Sequence, residues 1–206
     1  MTAEAKFPFR PRPVDNHDGA IQVDVARTLD EIMAALSVRN AVFVGEQRCP
    51  PDEEFDGNDF ASSTHLLARV QGEPAGTLRL RWFADFAKLE RVAVKREHRG
   101  SAVSSVLITA GMELVRRKGY CKMLGHAQVR LIAFWERFGF RIRQNRARFV
   151  FSDYEYVEME WDLEPAANSL HLDTDPLILI RPEGRWDEPG VLDLSASRGG
   201  AKDEGR

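Results

Sequence analysis

One block of the sequence, residues 88–118, limits the possible folds more than any other. Its first seven residues, K-L-E-R-V-A-V, alternate between two sets of side chains and predict a β-strand. A basic turn follows, and Gly100, Ser101 and Ala102 then lead into an amphipathic helix with cationic residues at its end. Small residues at a helix start leave backbone N–H groups open to an anion such as a pyrophosphate. The block therefore predicts an α/β fold with a candidate anion site between strand and helix.

The same block lacks the motifs of the commonest nucleotide-binding loops. No G-K-S or G-K-T triplet follows the turn, which excludes a Walker A loop, and no G-x-G-x-x-G pattern marks a Rossmann dinucleotide site. Taken by itself, the block also fits an ordinary helix with a solvated basic entrance. Motifs elsewhere in the chain have to decide between the two interpretations.

Length and composition favour one domain with an appendage. A chain of 206 residues, 43% of them hydrophobic, can bury a core, which excludes wholesale disorder. The formal net charge of −3 gives no overall reason to expect nucleic acid as a partner. No uncharged apolar run reaches the about 18 residues of a membrane span, so none is expected. Residues 1–13 lack the apolar core of a signal peptide.

Cysteine and histidine usage indicates the compartment and argues against a metal site. Two cysteines, Cys49 and Cys121, favour a reducing, cytoplasmic location over a disulfide scaffold. They form no C-x-x-C pair, and the five histidines lack the spacing of metal ligands. The sequence therefore predicts no metal.

The chain is expected to have three parts: an extended lead-in over residues 1–19, a domain over residues 20–163, and an acidic extension over residues 164–206. The extension carries nine acidic and five basic residues and an apolar cluster at 177–180, which predicts one strand or a docking segment followed by disorder from about Ser195. Within the domain, hydrophobic spacing predicts strands at 21–25, 66–70, 77–81, 88–94, 121–127 and 154–161, and helices at 29–44, 100–118 and 130–138.

The helix at 29–44 has a recognisable start. Thr28 followed by Glu31 forms the sequence pattern of a capping box. Apolar side chains at 29, 32, 33 and 36 keep helical spacing, and the pattern allows a break at Ser37.

Several motifs in register carry a family resemblance. Residues 39–50 read R-N-A-V-F-V-G-E-Q-R-C-P, followed by F-D-G-N-D at 55–59 and H-L-L at 65–67. Farther on come R-V-A-V at 91–94, R-G at 99–100, A-Q at 127–128 and F-W-E-R-F-G-F at 134–140. In order and spacing these motifs resemble the ElaA-type branch of the GNAT (GCN5-related N-acetyltransferase) superfamily over about residues 27–161.

The resemblance implies the GNAT-like acyl-CoA N-acyltransferase fold, a mixed twisted sheet flanked by helices, here with a C-terminal extension. Acetyl-CoA or a longer acyl-CoA is expected as co-substrate, in a cleft where the parallel strands at 88–94 and 121–127 splay. The implied cofactor-binding residues are Val92, Val94, Arg99, Gly100, Ser101, Ala102, Val103, Ser104 and Trp135. Two glycine positions of the family's pyrophosphate loop are occupied by Ala102 and Ser104, and hydroxyls of Ser101, Ser104 and Ser105 are candidate replacement donors.

The resemblance also implies direct attack of a neutral amine on the thioester carbonyl, assisted by a base. Glu90 is the first candidate, with an ion pair to a neighbouring arginine as the alternative, and Glu46 and His126 follow. The family's frequent tyrosine acid corresponds here to Trp135, whose indole is not an acid near neutral pH. A thiol with a pKa near 8.5 can leave as thiolate without a dedicated acid, and Tyr154 and Tyr156 are candidate substitutes.

We expect an N-acyltransferase that acts on a primary amine of a small molecule or peptide. One alternative is an N-acyl amino acid or acyl-homoserine-lactone type synthase with an acyl carrier protein as donor. A cluster of arginines would bind this carrier protein: Arg141, Arg143, Arg146 and Arg148. A second alternative is a catalytically silent CoA-binding or partner-binding module. A homodimer is kept as a further expectation.

Overall fold

The computed structural model describes residues 21–197, without the side chains of the last two. These residues fall into two compact units, 21–169 and 170–197. The expected lead-in at residues 1–19 and the end of the chain from residue 198 lie outside the described residues. Among the residues that are described, no helix is long and apolar enough to cross a membrane.

An eight-stranded mixed sheet forms the body of the unit 21–169. Its strands are β1 (Ile21–Val25), β2 (Ser63–Val70), β3 (Glu73–Trp82), β4 (Ala87–Val94), β5 (Lys122–Gln128), β6 (Arg141–Ile142), β7 (Phe149–Phe151) and β8 (Tyr154–Asp162). Along the sheet the order is β1-β2-β3-β4-β5-β8-β6, with β7 also paired to β8. Only β4 and β5 run parallel. The predicted mixed sheet with helices is therefore confirmed.

Helical segments connect these strands. They are α1 (Leu29–Arg39) continued by a π-helical segment (Asn40–Glu46), α2 (Pro51–Glu54), a 3₁₀ turn (Arg96–His98), α3 (Val103–Arg117), a 3₁₀ turn (Val129–Leu131) and α4 (Ile132–Glu136). The unit 170–197 contains α5 (Pro176–Leu179) and α6 (Val191–Ser197). Of the two alternatives expected at 177–180, the strand is therefore wrong, because Asp175 caps a helical turn there by accepting from the Leu177 N–H at 2.8 Å.

Helix α1 begins as predicted, but the residues on its buried face differ from the predicted ones. The Thr28 hydroxyl accepts from the Glu31 N–H at 3.3 Å, and the Glu31 carboxylate accepts from the Thr28 N–H at 3.0 Å, which completes the capping box. Leu29 and Met33, apolar positions of the predicted pattern, are exposed, while the buried residues include Arg39. The change of helical pitch comes at Asn40 rather than at Ser37.

Strand β4 carries the irregularity that opens the sheet. Thr77 pairs with Ala93 and Arg79 with Glu90, so two β4 residues, Arg91 and Val92, stand opposite one residue of β3. This is a β-bulge, and the bulged Arg91 has a φ of 53°. The register between β4 and β5 ends at the pair Leu89 and Gly125. The predicted splay between the two parallel strands therefore begins directly after Leu89.

Helix α3 packs closely on the sheet beside this gap. A Cβ atom on Gly76 of β3 would lie 2.9 Å from side-chain atoms of Val103 and Leu107, so glycine permits the close approach of helix and strand. The first helical residue is Val103, three residues later than predicted. The segment between β4 and α3 is therefore a longer loop, with its own 3₁₀ turn.

Candidate active site

Two cavities of the unit 21–169 meet at the splay. The larger one, of about 350 Å³, lies among residues 43–56, strands β3 and β4, the end of β5, and strands β7 and β8. The smaller one, of about 220 Å³, lies between the loop before α3 and helix α4. Val92, Leu131 and Trp135 line both cavities. A ligand in the smaller cavity can therefore present its end to the larger one past these three residues.

Most of the predicted cofactor residues line the smaller cavity. They are Val92, Val94, Arg99, Gly100, Ser101, Ser104 and Trp135, together with His98, Leu131 and Phe134, which the sequence analysis did not name. Ala102 and Val103 line neither cavity, and Val103 is fully buried. The structure thus brings seven of the nine together and turns Val103 into the core.

The loop before α3 shows which glycine the backbone requires. Gly100 has a φ of 81°, a left-handed conformation that L side chains avoid, although no atom beyond its chain neighbours lies within 4 Å of the place that a Cβ would take. Ala102 has an ordinary helical φ of −78° and offers no side-chain cap to the first turn of α3. Since the backbone at Ala102 does not need glycine, its substitution costs no strain. The residue with no capping side chain leaves amide groups of that turn for a ligand.

Serine hydroxyls contribute less than the sequence suggested. The Ser101 hydroxyl donates to the His98 carbonyl at 2.6 Å and is approached by the Val103 N–H at 3.4 Å. It is therefore used to shape the loop. Ser104, in contrast, lines the smaller cavity from the first turn of α3.

Glu46 lies at this loop and not in the larger cavity. Its carboxylate is 2.8 Å from Arg99 and 3.5 Å from Arg96, and the hydrogen bond from Arg99 lowers the pKa of Glu46. Arg99 also donates from Nε to the Val94 carbonyl at 3.0 Å. The structure therefore does not bring Glu46 to the other two candidate bases, and its carboxylate holds the Arg99 guanidinium in place.

Glu90 lines the larger cavity as an ion-paired carboxylate. Its oxygens lie 2.7 Å from Arg79 and 2.8 Å from Lys88. Burial raises the pKa of Glu90, but the charges of Lys88 and Arg79 outweigh it and hold the pKa below its usual range. The alternative that the sequence left open, an ion pair with a neighbouring arginine, is what the geometry contains. A carboxylate in this state is a weak base.

His126 lines the same cavity in a form that can accept a proton. Its ring contacts Phe149 edge-on, with the ring centres 4.9 Å apart. Burial, followed by the charge of Lys88, lowers the pKa of His126 below its ordinary value of 6.5. The imidazole is therefore neutral at neutral pH, as a general base must be.

A buried ion-pair network, which the sequence analysis missed, supports the wall of the larger cavity. Arg39, completely buried, binds Glu54 at 2.5 Å and also Asp59. Arg79, equally buried, lies 2.7 Å from both Asp56 and Asp59. The hydrogen bond from Arg79, against the opposing effect of burial, holds the pKa of Asp56 far below its usual range. Glu54 and Asp56, which line the cavity, are thus held in place by buried arginines, and Asp59 connects the two arginines.

One signal in the sequence could have found part of this network. Arg79 and Glu90 lie on adjacent strands of a predicted sheet, and opposite charges across strands attract. Arg39 follows the buried Ala35 and Val38 on the same helix face, but the sequence alone does not say which carboxylate meets it.

Tyrosine side chains add hydroxyl groups to the larger cavity. Tyr156 accepts a hydrogen bond from Gln128 Nε2 at 3.1 Å, and burial raises the pKa of Tyr156, so its hydroxyl stays protonated. Tyr154 and Trp135 line the cavity as well. Trp135 packs edge-on against Phe140, with ring centres 5.4 Å apart, and so combines a packing contact with a place at the junction of the cavities.

Within residues 21–197 no group of three or more His, Cys, Asp or Glu side chains is arranged to hold a metal ion. The charges of the network satisfy one another in pairs of opposite sign. What the site offers chemically is a neutral imidazole, a polar cavity around it, and a second cavity that ends at a helix start.

Comparison with known proteins identifies the family. The model of the acetyltransferase (GNAT) family matches residues 30–140. A candidate acetyltransferase of Bacillus subtilis (strain 168) is 34% identical over 113 residues, which cover 54% of this chain and 77% of that protein. The family model alone spans more than half of the chain, and it includes the splay, the loop before α3 and helix α4.

Solved structures agree. An acyl-CoA N-acyltransferase from Pseudomonas aeruginosa is 26% identical with a TM-score of 0.63, and the match covers 69% of this chain and 99% of that one. Escherichia coli ElaA, at 24% identity and a TM-score of 0.61 with the same coverage, shares the fold. The chain belongs to the GNAT family and is an N-acetyltransferase.

Proposed function

We propose that the protein transfers an acetyl group from acetyl-CoA to a primary amine of a small molecule or peptide, with His126 as the base. The observation that carries the proposal is the meeting of two cavities at Val92, Leu131 and Trp135. One cavity ends at the start of a 15-residue helix, and the other contains a neutral imidazole. The first cavity suits an anionic thioester donor, and the second suits an amine acceptor.

The residues of the smaller cavity fit the phosphate end of the donor. The amide groups in the first turn of α3 and the helix dipole favour negative charge. Arg99 adds a guanidinium that Glu46 orients at 2.8 Å. Ser104 adds a hydroxyl, and the φ of 81° at Gly100 gives the loop the turn that leads the chain into the helix.

The proton balance of the reaction favours His126. The amine nitrogen attacks the thioester carbonyl, a C–N bond forms, the C–S bond breaks, and one proton leaves the nitrogen. His126 takes that proton, and an imidazolium whose pKa lies below 6.5 is a stronger acid than a thiol with a pKa near 8.5. The proton can therefore move on to the departing thiolate, and no tyrosine acid is needed at the position of Trp135.

The bulge in β4 supplies the group that polarises the carbonyl. Arg91 and Val92 fall outside the register between β3 and β4, and Val92 lines both cavities. We assign the Val92 N–H to the thioester oxygen, where a fixed backbone donor stabilises the charge that develops during attack.

The carrier-protein alternative receives little support from the arginines that suggested it. Arg143 lies 2.7 Å from Glu158 and 3.1 Å from Glu160, and Arg148 lies 3.0 Å from Glu155. A cluster that is already paired within its own sheet presents a weaker field to an acidic partner. Both cysteines are free thiols, in keeping with the reducing, cytoplasmic location that we propose.

Calorimetric titration with acetyl-CoA, followed by an assay of thiol release over a panel of amines, tests the proposal. We expect saturable binding of acetyl-CoA and thiol release that requires both enzyme and amine. Absence of acetyl-CoA binding would overturn the proposal. Binding without amine-dependent thiol release would favour the silent-module alternative.

A further inference from the structure

We propose that the acceptor is an amine that also carries a carboxylate, as an amino acid does, and that Arg81 and Arg130 bind this carboxylate. The inference rests on the proposed function and names the substrate class of the same site. It starts from the polar atoms of the larger cavity that the protein itself leaves without partners.

Three of the carboxylates in this cavity are neutralised internally. Glu54 is bound by Arg39 at 2.5 Å and by Arg91 at 3.0 Å. Asp56 lies 2.7 Å from Arg79 and 3.3 Å from Arg91. Glu90, as described above, has Arg79 and Lys88. These pairs use up four of the cations at or beneath the cavity wall.

Arg81 is a cation of the wall that stands outside these pairs. Its nearest described carboxylate is Glu90, at 4.0 Å from Nε, and that carboxylate already has two closer cations. The Nε atom of Arg81 is buried and has no hydrogen-bond partner among the described residues. A buried guanidinium N–H without an acceptor is costly, and a ligand carboxylate would supply the acceptor.

Arg130 is the second cation of the cavity that forms none of these ion pairs. Its Nε donates to Gln128 Oε1 at 2.8 Å, and its guanidinium lies over the Tyr154 ring at 5.4 Å. These contacts fix the side chain, yet within residues 21–197 no carboxylate lies within 4.0 Å of it. A pre-oriented guanidinium is the group that binds a carboxylate with two parallel hydrogen bonds.

An orphaned acceptor in the same cavity suits the other end of such a ligand. Glu53 Oε2 is buried and lacks a hydrogen-bond partner among the described residues. A ligand with both an amine and a carboxylate can satisfy orphaned groups of both signs at once, whereas a simple alkylamine would leave Arg81 and Arg130 unpaired. The cavity volume of about 350 Å³ is in the range of small-molecule sites.

Three acceptors with one side chain test the inference: leucine, leucinamide and 3-methylbutylamine. With the wild-type enzyme we expect kcat/KM for leucine to exceed that for each of the two acceptors that lack the carboxylate by on the order of 10-fold or more, since loss of a hydrogen bond to a charged group has about that effect. Each of the variants Arg81→Gln and Arg130→Gln should bring the ratio of kcat/KM for leucine to kcat/KM for leucinamide close to one. Arg141→Gln, a control on the surface pair with Asp162, should keep the wild-type ratio.

A binding measurement makes the test independent of turnover. Calorimetry with N-acetyl-leucine and N-acetyl-leucinamide should show tighter binding of the former, and Arg81→Gln should abolish the difference. Equal kcat/KM for leucine and leucinamide, together with equal binding of their acetylated forms, would overturn the inference while leaving the acetyltransferase function intact. Failure of every amine would overturn the proposed function, and the binding measurement would still decide on the carboxylate site.

Discussion

The two cavities that meet at Val92 and Trp135 are built in different ways. The loop side of the smaller one is shaped by backbone, with a left-handed glycine, a helix start without a capping side chain, and the small residues Ser101 and Ser104. The larger one is shaped by charged side chains, held by a network in which Arg39 and Arg79 are completely buried. Backbone groups suit a donor whose phosphates are always the same, while side chains define an individual acceptor.

The two ways of building a cavity should also differ in how much stability a substitution costs. A backbone site tolerates a change of side chain where the φ angle stays ordinary, as at Ala102. A charged network does not, because removal of one member leaves the buried charges that remain with fewer partners of opposite sign. The two regions should therefore respond differently to substitution, and five experiments test that contrast.

The largest effect is expected at His126. Replacement of a general base lowers kcat by about 10²–10⁴-fold, so the loss of kcat in His126→Gln should lie in this range. Glu90→Gln alters an ion pair, and its loss of kcat should be smaller. His171→Gln, on an exposed side chain of the unit 170–197, is the control. Steady-state kinetics with saturating donor measures the effect.

The pH dependence of kcat/KM tests whether His126 is the base. The pKa of His126 is lowered, so the neutral form persists below pH 6.5 and kcat/KM should decline only as the pH falls through that lowered pKa. The acid limb should vanish in His126→Gln. If Glu90→Gln removes the limb and His126→Gln retains it, then Glu90 is the base instead.

Substitution in the buried network should cost the most stability. Arg39→Met leaves Glu54 and Asp59 without their common cation, and we expect a loss of about 3–5 kcal/mol in the free energy of unfolding. Urea denaturation at neutral pH measures it. Arg148→Gln, which breaks an exposed pair with Glu155, should cost at most about 1 kcal/mol. Equal losses in the two variants would contradict the account of the network.

An intermediate effect is expected at Arg99. Arg99→Gln should weaken acetyl-CoA binding by about tenfold, in line with loss of one charged hydrogen bond, and leave kcat near its wild-type value. Glu46→Gln should change binding less, since the guanidinium stays hydrogen-bonded to the Val94 carbonyl. Calorimetry with acetyl-CoA distinguishes the variants. A large loss of kcat in Glu46→Gln would restore that residue as a catalytic candidate.

The smallest effects compare two positions of the same loop. Gly100→Ala places a Cβ on a residue with a φ of 81° and should cost about 1–2 kcal/mol in the free energy of unfolding. Ala102→Gly meets no strain to relieve, so it should change stability by less than about 1 kcal/mol and should leave donor affinity within about twofold. If Ala102→Gly instead tightens acetyl-CoA binding strongly, then the family's glycine at that position serves close backbone approach.

Local sequence rules predicted much of the framework. The Thr28 capping box, the alternation of β4 and the amphipathic α3 depend on residues at most a few positions apart, and all three are present. Two predictions of this kind failed: the strand at 177–180 is a helical turn, and in α1 Leu29 and Met33 are exposed while Arg39 is buried. Burial of an arginine contradicts the hydrophobic pattern, and only its carboxylate partners make it favourable.

The sequence by itself determined the order of the elements, the family resemblance and the set of residues near the splay, because these follow from short-range periodicity and ordered motifs. The tertiary structure alone decided which of these residues can react. Glu90 and His126 differ in their readiness to accept a proton because of the charges around them. Arg79 on the neighbouring strand and Lys88 on the same strand lie beside Glu90, and Lys88 also lies near His126, which is on a different strand. Protonation depends on short distances, and those from Arg79 to Glu90 and from Lys88 to His126 join different strands and exist only in the fold.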